Sequence, residues 1–203
     1  MYNDNELLTF LPSKQKETLA KAIGKRLLEV ERFFGMDISS FLKYTSFKKV
    51  DFFSYNTGAV QFYFEDRLIH ALAVYGEQLS IVLLPETLTS DGFAQSYRLS
   101  EMEQMAPELL KKCLVNVCQD VRIWTLREEF ESEEAKEAAI SYLLSNGQEV
   151  FYCIYIHDDL DSDYLLLKQD IHKKKVDSCF SLLLGEYIDP PISIKSSAQS
   201  FTH

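Results

Sequence analysis

Between residues 59 and 65, Val60, Phe62 and Phe64 alternate with Gln61, Tyr63 and Glu65. This period of two predicts a strand with one apolar face and one wet face. Gly58 opens it, and Glu65, Asp66 and Arg67 close it with a turn. Residues 68–75 form a second apolar run ended by Gly76, and residues 79–84 a third stopped by Pro85. The three read as an antiparallel meander. The order returns in the second half, where 138–144, the pair Asn146 and Gly147, 149–156 and 164–167 read as strand, turn, strand, loop, strand. Asn-Gly is the strongest two-residue hairpin signal. Phe151, Cys153 and Tyr155 alternate with Tyr152, Ile154 and Ile156, so both faces of this strand are apolar and it is expected to be central and covered on both sides.

A matching lead-in precedes each meander. Residues 19–23, Gly24 and 27–34 parallel residues 109–114, Asn116 and 120–126, and each predicts a short helix followed by a strand. Gly24, and the alternation of Leu28 and Val30 with Glu29 and Glu31, favour this over one long helix across 13–34. Equivalent positions lie 79–91 residues apart, which reads as a tandem duplication with altered loops. Two meanders also arise without duplication, and the pattern leaves both origins open. Residues 132–145 likewise fit two patterns. Ala135, Ala138, Ala139, Tyr142 and Leu143 make a helical stripe behind Ser132 as N-cap, yet they also fit a strand entering the Asn146-Gly147 hairpin. A helical turn over 132–137 followed by a strand satisfies both.

Residues 35–53, with Phe41, Phe47, Phe52 and Phe53, read as an irregular or helical crossover. From Ile171 a further short helix or strand is expected, after which Pro190 and Pro191 forbid regular structure. The fold class is therefore α+β, with two similar halves, each a short helix plus a mainly antiparallel meander. The first half covers 1–98 and the acidic second half 99–191, with a flexible tail over 192–203.

Composition narrows the function classes. The chain has 203 residues, 46% of them hydrophobic, enough for an ordinary core. Asp4 and Glu6 stand where a signal peptide carries basic residues, and no run reaches the length of a membrane span, so a cytoplasmic protein is expected. The four cysteines, Cys113, Cys118, Cys153 and Cys179, form no C-x-x-C pair and read as free thiols of a reducing compartment. The net charge of −10 is uneven: −1 over the first 100 residues and −9 over the rest. A field of that sign disfavours nucleic acid and anionic membranes and steers basic partners inward.

Two acidic clusters account for much of it. Residues 128–137 hold Glu128, Glu129 and Glu131 among six glutamates, and residues 157–163, H-D-D-L-D-S-D, hold Asp158, Asp159, Asp161 and Asp163 in an expected loop. Tested as an EF-hand from Asp159, the second cluster has Tyr164 where glycine is needed and Asp170 where glutamate is needed, so no metal and no cofactor are expected. The seven named carboxylates are instead candidate contacts for a basic protein, with nearby tyrosines supplying contact area. The sequence contains no G-x-S-x-G, Walker loop, G-x-G-x-x-G or H-E-x-x-H, which favours binding over catalysis. His70, on an apolar strand face, reads as a structural histidine.

The strings A-I-G-K-R-L-L-E-V-E-R-F-F at 22–34 and G-A-V-Q-F-Y-F-E-D-R-L-I-H-A-L-A-V-Y-G-E-Q-L-S-I-V-L-L at 58–84 resemble the sheet region of small immunity proteins from bacterial polymorphic and contact-dependent toxin systems. The resemblance covers about a third of the chain and departs at Arg67, where a turn glycine is expected. It implies a cytoplasmic inhibitor that occludes a basic toxin domain with an acidic surface. An enzyme or small-ligand protein whose site is assembled from distant residues, and a structural or adaptor protein, are the alternatives.

Overall fold

The computed structural model describes residues 11–75, 80–125, 137–157, 160–171 and 191–194. The chain begins with helix α1 (Ser13–Ala20) and strand β1 (Leu27–Phe34). The crossover that follows is helical in part, with α2 (Ile38–Tyr44), a 3-10 turn at Lys49–Asp51 and α3 (Phe52–Tyr55). Then come β2 (Gly58–Phe64), β3 (Ile69–Tyr75), β4 (Ser80–Leu83), β5 (Gln95–Arg98) and α4 (Glu108–Lys111). The second half supplies β6 (Cys118–Thr125), β7 (Glu137–Leu144), β8 (Glu149–His157), β9 (Leu160–Leu167), α5 (Lys168–Ile171) and β10 (Ile192–Ser193).

The strands form two antiparallel five-stranded sheets, ordered β4-β3-β2-β1-β5 and β10-β6-β7-β8-β9. Reversing the second list gives β9-β8-β7-β6-β10, so both halves are built to one topology. The likeness extends to single residues. Leu27 pairs with Phe64 ahead of a bulge at Leu28, and Cys118 pairs with Leu144 ahead of a bulge at Gln119. Gly24 and Val115, just upstream of the two bulges, both have positive φ, 85° and 59°. A β-branched residue seldom adopts that region, so the second half tolerates there what a glycine supplies in the first.

These segments also join the sheets around a pseudo-twofold axis. Arg26 and Val117 form an antiparallel bridge, and the bonds around it come in matched pairs. Gly24 N–H donates to Cys118 O at 2.8 Å while Val115 N–H donates to Leu27 O at 2.7 Å. Cys118 N–H donates to Lys25 O at 2.8 Å while Leu27 N–H donates to Asn116 O at 2.9 Å.

The core lies between the sheets. Val30, Phe62, Phe64 and Leu72 from the first and Val121, Ile140, Tyr142 and Leu165 from the second are at most 1% exposed. Tyr142 crosses the interface, its ring 4.6 Å from Phe62 and 5.4 Å from Phe64. Beside β1, α2 and α3 add an aromatic cluster in which Phe52 packs on Phe34 at 4.6 Å. Both faces of β8 are buried, with Phe151, Tyr152, Cys153 and Ile154 at 0% exposure, as its double apolar alternation predicts.

Several expectations need correction. The first helix starts earlier than expected and ends at Ala20, within the stretch 19–23 read as helical, because the chain turns repeatedly from Lys21 to Gly24. The face of β2 expected to be wet is covered at Gln61, which is 1% exposed. Its side-chain amide accepts from Leu88 N–H at 2.8 Å and donates to Leu88 O at 3.3 Å, so the segment after β4 is held over this face of the sheet. The helical turn expected over 132–137 is corrected at Glu137, which already opens β7, and residues 132–136 lie outside the described residues. The tail expected to be flexible from Ile192 starts instead as β10, pairing Ile192 with Ile123 and Ser193 with Arg122. Pro190 and Pro191 do not prevent this, because the two-residue strand follows them. At Arg67 no glycine is needed: Asp66 and Arg67 take φ of 59° and 61° as consecutive residues of a tight turn, where the other half uses Gly147 at 79°.

Candidate functional site

Of the seven candidate carboxylates, Glu128, Glu129, Glu131, Asp158 and Asp159 lie outside the described residues. Asp161 occupies a β9 position opposite Ile156. Asp163 is placed differently from the expectation of an exposed loop. The β8–β9 pairing continues out to His157 and Leu160, so residues 160–163 belong to a strand, and Asp163 is only 4% exposed. It is therefore removed from the set of surface contacts.

What Asp163 meets inside is Arg32, which is 0% exposed. The guanidinium donates from one terminal nitrogen to Phe53 O at 3.0 Å and Ser54 O at 3.2 Å. From the other it donates to Asn56 O at 2.8 Å and to the Asp163 carboxylate. These carbonyls close the C-terminal end of α3, where a cation both satisfies orphan acceptors and faces the negative end of the helix dipole. The second oxygen of Asp163 accepts from Gly58 N–H at 2.6 Å, and Tyr152 donates its hydroxyl to Gly58 O at 2.9 Å. One buried network thus ties β1, α3, β2, β8 and β9 together. Burial pushes the Asp163 carboxyl up to about 6 while Arg32 and Gly58 N–H pull it down, so the group is charged at neutral pH. Among the described residues Arg32 Nε and Asn56 Oδ1 are buried without a hydrogen-bond partner, while the four bonds of the guanidinium's terminal nitrogens and both Asp163 oxygens are spent within the fold, an arrangement suited to anchoring. The clue in the sequence is parity: Arg32 shares its strand face with Val30 and Phe34, and Asp163 shares its face with Leu165.

His70 is wholly buried between Thr18 and Tyr142. Thr18 O, 3.0 Å from Nε2, can only accept, so Nε2 carries the proton and Nδ1 accepts from the Tyr142 hydroxyl at 2.9 Å. Both nitrogens are satisfied, in keeping with a structural role. Burial lowers its pKa from 6.5 to about 4. Between those values the unfolded chain binds the extra proton and the folded one does not, so stability falls as pH drops from 6.5 to 4. The term amounts to about 3 kcal/mol, at roughly 1.4 kcal/mol per pH unit. Asp163, shifted upward, acts with opposite sign over an overlapping range. Urea unfolding of wild type and His70→Gln should therefore give a stability gap that narrows by about 3 kcal/mol between pH 7 and pH 4. A gap constant with pH would remove His70 as its source.

Other carboxylates of the second half are also internal. Asp120, Glu137 and Glu149 are 7%, 2% and 2% exposed. Glu137 accepts from Leu11 N–H at 2.8 Å and from the Ser80 hydroxyl at 2.6 Å, bridging β7 to β4. Glu149 accepts from Arg122 at 3.1 Å and from the Ser141 hydroxyl at 2.7 Å, and Arg122 also lies 3.3 Å from Asp120. Of the acidic residues in this half whose side chains are described, Glu101, Glu103 and Glu108 face solvent.

Cys113, Cys118 and Cys153 are free, buried thiols, and Cys179 lies outside the described residues. Burial raises Cys113 and Cys118 to about 12, which keeps them protonated and poorly nucleophilic. Among the described residues no three His, Cys, Asp or Glu side chains are grouped so as to hold a metal ion. No described helix is long and apolar enough to cross a membrane. Comparison with protein-family models, with curated proteins and with solved structures finds no match.

Proposed function

We propose that the chain is a protein-binding module that covers a basic partner with acidic side chains of its second half, in the manner of a toxin-neutralising immunity protein. The observation that carries this reading is the charge distribution, with −9 of the net −10 in residues 101–203. The candidate contacts are Glu128, Glu129, Glu131, Asp158, Asp159 and Asp161, Asp163 being set aside because it is buried and paired with Arg32. Support also comes from the framework itself, since two sheets fastened by a buried network offer a rigid base, and rigid partners lose little entropy on association.

The test uses the purified product of the gene adjacent to this one as the partner. Glu128→Gln with Glu129→Gln and Glu131→Gln forms one variant, and Asp158→Asn with Asp159→Asn and Asp161→Asn the other. Each is expected to slow association and flatten its salt dependence, because charges at the rim of an interface act mainly on encounter. Unchanged affinity and salt slope in both folded variants would defeat the proposal.

A further inference from the structure

One exposed stretch combines positive charge with apolar side chains. Residues 38–50 contain no acidic residue and three lysines. Lys43, Lys48 and Lys49 are exposed and, among the described residues, make no ion pair. Next to them in the chain, Leu42, Tyr44 and Val50 are 43%, 69% and 38% exposed. The Lys43 ammonium sits 4.9 Å from the centre of the Tyr44 ring, a cation–π contact that holds both at the surface.

The flanking carboxylates are already committed. Asp37 caps α2 by accepting from Ser40 N–H at 2.8 Å, and Asp51, 8% exposed, accepts from Lys48 N–H at 2.9 Å. The backbone is fixed from below, where Phe47 stacks on Phe41 at 5.8 Å and on Tyr55 at 4.7 Å. The lysines and apolar side chains are thereby presented on a preorganised support instead of a free loop.

We propose that this surface docks an acidic segment of a partner protein that also carries apolar side chains, lysines meeting its carboxylates and Leu42, Tyr44 and Val50 its apolar groups. Charge complementarity selects the sign of the occupant, and the extent of the patch selects its size. A nucleic acid or an anionic bilayer spreads negative charge well beyond three lysines and offers no counterpart to Leu42, Tyr44 and Val50 at the spacing of a peptide side chain. A short peptide covers the patch alone. This surface is distinct from the acidic one proposed above, and either holds without the other.

The experiment titrates the full chain with a fluorescein-labelled peptide, Glu-Glu-Leu-Glu-Glu-Phe repeated twice, at low and at high salt. Binding is expected, weakening with salt, and about tenfold weaker in the combined variant Lys43→Ala, Lys48→Ala, Lys49→Ala. Leu42→Ser with Tyr44→Ser should weaken it several-fold with the salt slope retained. Both variants lie on exposed positions, and unchanged melting curves confirm that they fold. The proposal is overturned if the peptide does not bind, or if the lysine variant binds as tightly as wild type. It is also overturned if phosphatidylserine vesicles are held more tightly than the peptide, or if sedimentation shows a dimer that the lysine variant loses.

Discussion

Asp163→Ala is expected to lower the unfolding free energy by about 3–5 kcal/mol, because it strands the Arg32 guanidinium in the core without its counter-charge. For a chain of this size that corresponds to a melting temperature lower by roughly 10–15 °C. Asp163→Asn should cost less, since a side-chain oxygen remains for the Gly58 N–H that Asp163 now accepts at 2.6 Å. The pseudo-symmetric positions of the other sheets, matched strand by strand, hold Ile123 for Arg32 and Ile81 for Asp163. An apolar pair is thus compatible with the architecture. Arg32→Ile with Asp163→Ile is still not expected to restore stability, because Phe53 O, Ser54 O and Asn56 O would lose their donor. Chemical unfolding that placed Asp163→Ala within 1 kcal/mol of wild type would show that the ion pair is dispensable.

Gly58→Ala should be at least as damaging, at about 4 kcal/mol or more, the range that signals a specific steric or electrostatic failure. Gly58 has φ of 153°, and a Cβ there would stand 1.7 Å from Phe33 O and 2.8 Å from Phe33 C. Both are backbone atoms of the neighbouring strand, so no side-chain rotation relieves the clash. The strand would have to withdraw, and with it Gly58 N–H from Asp163 and Gly58 O from Tyr152. Thermal melts of Gly58→Ala and of Gly92→Ala make the comparison direct. At Gly92, also at positive φ, an added Cβ meets nothing within 4 Å, so only backbone strain remains. Equal melting temperatures for the two variants would contradict the steric account.

The two meanders could be read from the sequence because they obey local rules. Val60, Phe62 and Phe64 alternate cleanly, and Asn146 and Gly147 specify a hairpin. Strands β5 and β10 escaped because Gln95–Arg98 and Ile192–Ser193 are short edge strands whose pairing with β1 and β6 is decided by distant residues. From sequence Asp163 reads as a loop residue, because four carboxylates in six residues outweigh an alternation that begins only at Leu160. Its partner lies 131 residues away, a separation no local pattern encodes. Arg32 had a detectable signature, a cation in step with Val30 and Phe34, but its meaning depended on knowing what would fold over it. The acidic clusters illustrate a different limit. Formal charge counts Asp120, Glu137, Glu149 and Asp163 as surface field, whereas the fold encloses all four.

The pseudo-twofold join sets the timing of folding on the ribosome. The first sheet is complete in sequence at Arg98, yet Gly24 N–H, Leu27 N–H, Lys25 O and Leu27 O find their partners only between Val115 and Cys118. Phe62 and Phe64 are covered only when Tyr142 arrives. At about 5–20 residues per second, the interval from Arg98 to Leu167 lasts several seconds, during which an apolar sheet face stands open outside the exit tunnel. Because the second sheet is the lid of the first, the nascent chain passes through a stage in which it is a substrate for chaperones, and a stop codon placed between the halves would make that stage permanent.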